Sequence, residues 1–301
     1  MINDIERVLI TVITYRRPAE LERMLHSLLQ LQTTLSHRIV VVDNDPEGGA
    51  RSIVRNFSER VQYVHEPMPG IAAARNRCIE LITSDDDAII FTDDDEVVTP
   101  DWLEELVQCA HVYAVDIVAG PVVSVLPKNA PKWILNGNYF QRRIRKTGAS
   151  DGLPATNNVL VRSKILTIDA APRFDDAYSA TGGSDTDFFS RLVGRGHSFV
   201  WCETARVVEY IQADRVTLPW LIRRFTRGGE THARVQRQIE PAWRLVLRGG
   251  SLLVAGIVCA PLSLLFVPRL RGRNLMMAAR GLGIIRGTLG LRVHEYARAV
   301  G

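Results

Sequence analysis

The first hundred residues alternate short apolar runs with segments of helical periodicity, and this alternation limits the possible folds more than any other feature. Strand-like runs occupy Val8–Thr14, Arg38–Val42, Val61–His65 and Ala88–Thr92. Helical patterns lie between them, from Pro18 onward, over Gly49–Arg60 and over Ile71–Leu81. Repeated strand–helix units of this length are typical of a parallel sheet covered on both faces. Any ligand is then expected at the carboxyl ends of the strands.

The later residues predict more strands and helices, but with weaker patterns. We expect a helix opened by Thr99 as N-cap and reaching about Val115. Strands are predicted over Asp116–Leu126 and Ala155–Arg162, and a basic helix over Leu218–Gly228. The full prediction is an α/β fold with a mixed, Rossmann-like sheet, helices on both faces and a C-terminal helical tail.

Charge divides the chain into an acidic body and a basic tail. Residues 241–301 contain nine Arg and one acid, a net charge of +8, so the preceding 240 residues carry −4. We expect one domain over 1–245, with a nucleotide half to about residue 98 and an acceptor half over 99–245. A separate helical segment would then cover 246–301.

The tail carries two apolar stretches, Leu252–Val267 and Leu275–Leu291. The first contains Pro261 and is shorter than the ~20 residues that cross a bilayer, and Arg280 and Arg286 interrupt the second. This pattern favours helices in the interfacial layer of an anionic membrane, at the cytoplasmic face of the inner membrane. A buried helical hairpin or a seam between subunits is the alternative. Four cysteines without a CxxC spacing and an acidic N-terminus indicate reduced thiols and no secretory signal.

Four consecutive acidic residues, Asp93 to Glu96, follow the fourth predicted strand. Neighbouring carboxylates repel one another, so the cluster needs a cation or ample solvent. An EF-hand is excluded because its sixth position would be Val98 instead of Gly. A solvated acidic turn remains possible. The alternative is that Asp93 and Asp95, spaced as D-x-D, hold Mg²⁺ or Mn²⁺ together with a substrate diphosphate.

The chain resembles the family 2 glycosyltransferases of GT-A fold, in particular bacterial members that build exopolysaccharide. The resemblance covers about residues 7–230 and rests on segments that occur in the family's order and spacing. These are TYRRP (14–18), VVVDNDPEGGAR (40–51), EPMPGIAAARN (66–76), IIFTDDDEVVTPDWL (89–103), GPV (120–122), TNNVLVR (156–162) and GGSDTDFFSRLVGRG (182–196).

The resemblance implies a set of nucleotide-binding and metal-binding residues. The nucleotide contacts would be Thr14, Tyr15, Arg17, Asp43, Arg75, Asp93 and Asp94. Asp93 would be the acid on the ribose side and Asp95 the metal ligand, with Asp93 as a further ligand. Asp94 ranks lower because it points to the opposite side of an extended segment. Asp45 is expected to make an Asx turn, and Arg75 to pair with Asp93 or to reach the diphosphate.

The resemblance also implies that Asp185 is the catalytic base, at the second position of the family's Glu-Asp pair. Ser184 replaces the first acid, so no second acidic role is expected there. Ser184 and Asp187 have the spacing of a variant capping box, which would leave Asp185 free to point into the site. The alternative role for Asp185 is a charge that stabilises the helix dipole.

Several further residues have roles that the sequence leaves open. Glu209 and His232 are insecure candidates for a late metal ligand. Arg223, Arg224 and Arg227 could close over the diphosphate or face anionic lipid. Trp133, Tyr139 and Phe140 could stack on sugar faces or belong to the core.

The predicted activity is inverting, metal-dependent transfer of a sugar from a nucleotide diphosphate donor, UDP being preferred. The acceptor would be a hydroxyl of a lipid-linked saccharide, with no nucleic-acid partner because the Arg residues of the tail interrupt apolar runs. Two alternatives from other classes remain: a nucleotidyltransferase, and an inactive nucleotide-binding or scaffold protein of the same fold.

Overall fold

The computed structural model describes residues 5–178, 182–237, 240–266 and 271–291. Its strands are β1 (Arg7–Thr14), β2 (Ser36–Asp43), β3 (Val61–His65), β4 (Ala88–Asp93), β5 (Glu96–Val98), β6 (Ile117–Ala119), β7 (Val122–Val125), β8 (Asn158–Arg162), β9 (Phe199–Trp201) and β10 (Val207–Tyr210). Its α-helices are α1 (Pro18–Leu28), α2 (Arg51–Arg55), α3 (Ile71–Glu80), α4 (Trp102–Tyr113), α5 (Lys132–Leu135), α6 (Lys164–Thr167), α7 (Ser184–Gly194), α8 (Leu218–Gln236), α9 (Ala242–Phe266) and α10 (Arg271–Thr288). Short 3₁₀ turns cover Asp176–Tyr178 and Ala213–Arg215.

The main sheet has seven strands in the order β3-β2-β1-β4-β8-β6-β9. The first four in this order run parallel, as the strand–helix alternation predicts. Strand β8 runs antiparallel to both β4 and β6, which makes the sheet mixed. Apolar clusters cover both faces because side chains alternate along each strand: Val8 and Ile10 belong to one cluster and Leu9 to the other. The predicted α/β class with a mixed sheet is confirmed.

A second sheet of three strands, β5-β10-β7, stands beside the first. It forms because Asp116–Leu126, predicted as one strand, is divided at Gly120 into β6 of the main sheet and β7 of the small sheet. A side chain at Gly120 would lie 2.1 Å from the Ala205 carbonyl oxygen, so the two backbones can approach only at glycine. The small sheet brings residues of the later half against the acidic cluster.

Three predicted helices have different ends in the structure. Helix α2 is confined to Arg51–Arg55, and α8 runs to Gln236 instead of ending near Gly228. Helix α4 begins at Trp102 with Asp101 as its N-cap residue, so the prediction of Thr99 as N-cap is wrong. The Thr99 hydroxyl is buried without a hydrogen bond. The Thr99 carbonyl oxygen accepts the Trp102 amide instead.

The C-terminal helices α8, α9 and α10 pack on one another. Helix α9 is longer than the apolar stretch from Leu252 suggests, since it begins at Ala242 and continues through Pro261 for 25 residues, or about 37 Å. Its segment Ala242–Ala260 is the one helix, within the described ranges, that is long and apolar enough to cross a membrane by length and composition, and 17% of it is buried. The predicted domain boundary at residue 245 falls inside this helix. Residues 267–270 and 292–301 of the predicted tail lie outside the described residues.

Glycines set the spacing of these helices. A side chain at Gly281 of α10 would lie 2.5 Å from the Gly249 carbonyl oxygen of α9. A side chain at Gly283, two residues on, would lie 1.9 Å from the Thr226 carbonyl oxygen of α8. Helix α10 therefore touches both neighbours through backbone, which is the packing that small residues allow in helix pairs.

Candidate functional site

Parallel register brings three polar loops to one edge of the main sheet. Thr14 at the end of β1 is paired with Asp43 at the end of β2, and Ile13 with Asp93 at the end of β4. The Asn44 amide also donates to the Thr14 carbonyl oxygen over 2.9 Å. The predicted site residues of these three loops are therefore neighbours in space.

Within the acidic cluster, Asp94 makes the firmest contacts with the protein. Its side chain accepts hydrogen bonds from the Thr14 hydroxyl at 2.7 Å and from the Arg17 guanidinium at 3.1 Å, and the residue is 3% exposed. Asp95 accepts from Arg17 at 2.9 Å and from Arg215 at 3.4 Å. Arg17 thus joins two neighbouring carboxylates that would otherwise repel each other.

Burial and mutual repulsion make Asp93, Asp94 and Glu96 hard to ionise. Burial raises the pKa of Asp93 to about 7; Arg75 opposes the shift, and Asp95, Asp185 and Asp94 add to it. Burial likewise raises the pKa of Asp94 to about 6 against the opposing charge of Arg17. The pKa of Glu96 is raised well above its usual range by burial and by Asp93. An added cation at this point would be strongly stabilised.

Asp185 lies in a cavity of about 300 Å³ together with Arg75, Ala155 and Gly183. Its carboxylate is ion-paired with the Arg75 guanidinium and accepts the Thr156 amide at 3.4 Å. Arg75 is 5% exposed and lies 5.5 Å from the centre of the Phe174 ring, which fixes its orientation. Arg75 therefore pairs with Asp185, while its charge also lowers the pKa of Asp93. The Asp185 side chain remains 26% exposed, which leaves room for a second molecule.

The predicted capping box at α7 is absent from the structure. Gly183, with a φ of 98°, is the residue before the helix, and Ser184 is its first residue with no side-chain capping bond. The Ser184 hydroxyl is buried without a hydrogen bond, and Asp187 pairs with Arg191 at 2.7 Å one turn later. The left-handed backbone at Gly182 and Gly183, instead of a capping box, leads the chain into α7.

Asp43 is buried and bonded to the protein at both carboxylate oxygens. It accepts hydrogen bonds from the Asp45 amide at 3.0 Å, the Ala50 amide at 2.8 Å and the Tyr63 hydroxyl at 3.0 Å. Asp45 accepts from Arg16 at 3.1 Å and from the Glu47 amide at 3.4 Å, which fits its predicted turn role. Tyr15 lies in the same loop, 5.3 Å from the Arg16 guanidinium. In this structure Asp43 supports the loop after β2, which is where the sequence predicts a nucleotide contact.

A group of arginines lies beside the acidic cluster. Two of its members, Arg142 and Arg215, were not predicted from the sequence, whereas Arg224 and Arg227 were. Arg142 and Arg215 lie 3.3 Å and 3.7 Å from the buried Glu209 carboxylate, and Arg215 also reaches Asp95. Burial lowers the pKa of Arg224 to about 10; Glu209 opposes the shift, and Arg142, Arg227 and Arg215 add to it. Arg142 falls in a stretch without periodicity. It reaches the site because Phe140 and Gln141 are hydrogen-bonded to Ser124 of β7, which pairs with Glu209 of β10.

The structure gives different surroundings to the residues whose roles the sequence left open. Tyr139 and Phe140 are buried, and Phe140 stacks on Trp220 at 5.5 Å, so both belong to the core. Trp133 remains 39% exposed. Glu209 is occupied by arginines, and His232 lines a different cavity, beside α9 and α10.

A divalent cation would fit the sheet edge only if a bound substrate supplied further oxygen ligands. Across the described ranges, no three His, Cys, Asp or Glu residues form a group that could hold a metal ion. Mg²⁺ and Mn²⁺ commonly use one or two carboxylates together with substrate phosphates. Asp93 and Asp95 supply such oxygen donors, and a bound cation would offset the burial and the neighbouring carboxylates that raise the pKa of Asp93. The residues present therefore fit a cation that arrives with a diphosphate.

Comparison with known proteins gives a consistent result. A family described as glycosyl transferase family 2 matches residues 9–167. Succinoglycan biosynthesis protein ExoM of Rhizobium meliloti is 32% identical over 98% of this chain and 97% of its own length. Glycosyltransferase AglE of Haloferax volcanii is 23% identical over 66% of the chain and 67% of its own length.

A similar fold occurs among solved structures. The mannosyltransferase PcManGT of Pyrobaculum calidifontis, solved in complex with GDP-Man and Mn²⁺, superposes with a TM-score of 0.64 and 17% identity over 95% of this chain and 87% of its own. Residues 1–349 of S. aureus TarS give a TM-score of 0.55 and 12% identity over 94% and 92%. These likenesses show the fold, which is GT-A as expected.

Proposed function

The chain belongs to glycosyl transferase family 2, and on that premise we propose that it transfers a sugar from a nucleotide diphosphate donor to a saccharide hydroxyl with inversion. It is a glycosyltransferase; the donor, the metal and the acceptor are the proposed parts. UDP is the preferred nucleotide, and a divalent cation accompanies it. The ExoM relative supports a role in the assembly of an exopolysaccharide.

One observation carries the proposal: Asp93, Asp95 and Asp185 share one electrostatic site. Asp93 is the link, because both Asp95 and Asp185 raise its pKa. Asp93 and Asp95 follow β4 on the nucleotide side, whereas Asp185 opens α7 and lines its own cavity. Two carboxylates that can bind a metal diphosphate thus lie beside one that can accept a proton.

Asp185 is the proposed base. Its carboxylate would accept the proton of the acceptor hydroxyl as that oxygen attacks the anomeric carbon from the face opposite the diphosphate. The ion pair with Arg75 and the bond from the Thr156 amide hold the carboxylate in one orientation before the acceptor arrives.

The departing nucleoside diphosphate, on the face of the sugar opposite Asp185, is stabilised by positive charge. Arg17 and Arg215, both bonded to Asp95, are the side chains best placed to approach a diphosphate there. Asp93 and Asp95 would hold a divalent cation, which supplies charge stabilisation for the departing diphosphate when it is bound. Thr14, through its bond to Asp94, would keep the loop after β1 next to the nucleotide.

The C-terminal helices place the enzyme at a membrane in this proposal. One apolar face of α9 is more than half exposed, because its side chains are spaced by one, three, four or seven residues. They are Trp243, Leu247, Val254, Ile257 and Val258. A face of this kind suits the cytoplasmic leaflet of the inner membrane, where a lipid-linked acceptor would be found. Helix α9 is long enough to enter the bilayer core, which goes beyond the interfacial position that the sequence predicts.

Product analysis separates this function from its alternatives. Incubation with candidate nucleotide sugars and a membrane extract is expected to release a nucleoside diphosphate. Release of pyrophosphate would identify a nucleotidyltransferase instead. If no donor is consumed with any acceptor, while nucleotides still bind, the inactive scaffold would be the better account.

A further inference from the structure

A second cavity, of about 370 Å³, lies between α8, α9 and α10 and the segment that follows α5. One face of α10 forms its floor, with Arg273, Met276, Met277, Arg280 and Ile284 repeating every three or four residues. Helix α8 contributes Phe225 and His232, and α9 contributes Arg248 and Leu252. The cavity therefore combines apolar walls with three arginines.

The charges in this cavity are almost all positive. Arg248 is 3.2 Å from the Glu240 carboxylate, so its charge is partly balanced. Within residues 5–178, 182–237, 240–266 and 271–291, no ion pair joins Arg273 or Arg280 to an acid. His232 stays neutral near pH 7, since burial lowers its pKa and Arg280 and Arg248 lower it further. Two exposed arginines thus lie two turns apart on α10, with methionines between them.

Helix α9 carries apolar side chains both in the cavity and on its exposed surface. Leu252 faces the cavity, and the exposed apolar face with Leu247 and Val254 occupies the other side of the same helix. The exposed Arg273 and Arg280 can bind a phosphate from solvent, and the methionine and phenylalanine side chains can contact an apolar chain. The chemistry therefore fits an amphiphile with a phosphate group at one end and an apolar chain at the other.

A relay of side chains connects the cavity with the candidate active site. Tyr139 of the cavity wall is followed in sequence by Phe140, and the Arg224 guanidinium lies 5.5 Å from the Phe140 ring. Arg224 belongs to the arginine group around Glu209, whose member Arg215 contacts Asp95. A chain of contacts thus runs from the cavity through α8 to the acidic cluster.

We infer that this cavity binds the phosphate end of the lipid that carries the acceptor saccharide, with Arg273 and Arg280 as its phosphate ligands. The inference rests on the proposed function and extends it, because it assigns the lipid carrier a site separate from the donor nucleotide. The apolar chain of the carrier would leave along α9, and its saccharide would extend along α8 toward Asp185.

The test uses the full chain in a zwitterionic detergent, with farnesyl diphosphate as the probe and EDTA present. Without a divalent cation, the acidic sheet edge should not hold a diphosphate, so calorimetry reports on the cavity. Farnesyl diphosphate is expected to bind, and Arg280→Gln to weaken binding about tenfold through the loss of one charged hydrogen bond. Arg273→Gln should have a similar effect and serves as the second variant. Arg244→Gln, exposed on the first turn of α9 and outside the cavity, is the matched control and should bind as the wild type does.

Three results would overturn the inference. Equal affinity of wild type, Arg273→Gln and Arg280→Gln for farnesyl diphosphate would show that neither arginine binds the phosphate. Equal affinity for inorganic pyrophosphate would show that no lipid chain is recognised. Equal affinity for phosphatidylglycerol would assign the cavity to bulk membrane lipid instead of a carrier. Nucleotide binding with Mn²⁺, measured in the same preparations, tests the proposed function separately because that site lies at the sheet edge.

Discussion

The sheet edge and the C-terminal helices use charge in opposite ways. At the edge, Asp93, Asp94 and Glu96 are held in a buried cluster, with pKa values raised by burial and by one another. On the helices, arginines such as Arg273 and Arg280 stand exposed beside apolar side chains, without acidic partners among the described residues. The first arrangement favours a cation, and the second favours an anion.

The two regions are therefore expected to bind different partners and to respond to different changes in solution conditions. A repelling carboxylate group gains from Mg²⁺ or Mn²⁺ and a diphosphate, and it should respond to pH and chelators. An exposed apolar face with unbalanced arginines gains from anionic lipid and should respond to salt and to membrane composition. A substitution in one region should therefore leave ligand binding by the other region unchanged.

The largest effect is expected from Asp185→Asn. An amide cannot accept the proton of the attacking hydroxyl, so the rate of transfer should fall by about 10³. Affinity for the nucleotide and for vesicles should stay within about twofold, because the side-chain bonds of Asp185 go to Arg75 and Thr156, and loss of its charge would only make Asp93 easier to ionise. Transfer rates and nucleotide binding measured on the same protein decide this. A variant with a tenth or more of the wild-type rate would exclude Asp185 as the base.

The exposed face of α9 should control attachment to the membrane. Leu247→Glu, Val254→Glu and Ile257→Glu together should lower the partition onto anionic vesicles at least about 100-fold, because each change removes roughly 2 kcal/mol of apolar burial. Sedimentation with vesicles measures this, and nucleotide binding should be retained. Val112→Glu replaces an equally exposed apolar residue of α4 and is the control. Cosedimentation of the triple variant at wild-type levels would show that another surface binds the membrane.

The backbone contact between α8 and α10 should be sensitive to a single methyl group. Gly283→Ala would place a carbon 1.9 Å from the Thr226 carbonyl oxygen, so we expect a loss of about 1–3 kcal/mol in the free energy of unfolding. Gly250→Ala on α9 meets no atom within 4 Å and should be neutral or slightly stabilising. Denaturant unfolding in detergent measures both. If the two variants are equally stable, α8 and α10 do not approach as closely as they do in this structure.

The smallest predicted effect is a pH dependence confined to the sheet edge. Asp93 must lose its proton to bind a cation, and its pKa of about 7 lies above the usual value, so affinity for Mn²⁺ should rise about tenfold from pH 6 to pH 8. In the metal-free protein the same shift favours the protonated folded state, so this group's contribution to stability falls as pH rises from about 4 to about 7. Asp93→Asn should remove both effects.

Much of the nucleotide half follows from local sequence patterns. The order of the strands and helices, their carboxyl-end loops and the meeting of Thr14, Asp43 and Asp93 all follow from periodicity and the geometry of parallel sheets. The spacing of the acidic cluster predicts a separate role for Asp95 as metal ligand, but in the structure Asp94 and Asp95 share one arginine. Arg17 reaches both, and its position depends on the turn at Arg16, which has a φ of 54°.

The later half depends on contacts that are distant in sequence. The break at Gly120 requires the Ala205 carbonyl, and Arg142 reaches Glu209 only because β7 and β10 pair. Asp187 pairs with Arg191 within α7, an arrangement that competes with the predicted capping box at the same residue. The sequence pattern did not predict that α9 begins as early as Ala242, because Arg244 and Arg248 lower the mean hydropathy before Leu252. In the structure both arginine side chains are exposed, so they are compatible with the helix.

The central claim is that the acidic sheet edge binds a nucleotide through a divalent cation. Calorimetric titration of UDP, GDP, dTDP and CDP, each with and without Mn²⁺, tests it most directly. One nucleotide is expected to bind with Mn²⁺ and not without it, and Asp95→Asn should weaken that binding by at least about 100-fold because it removes a direct ligand. Metal-independent binding that Asp95→Asn leaves unchanged, or no binding of any of the four, would contradict the claim.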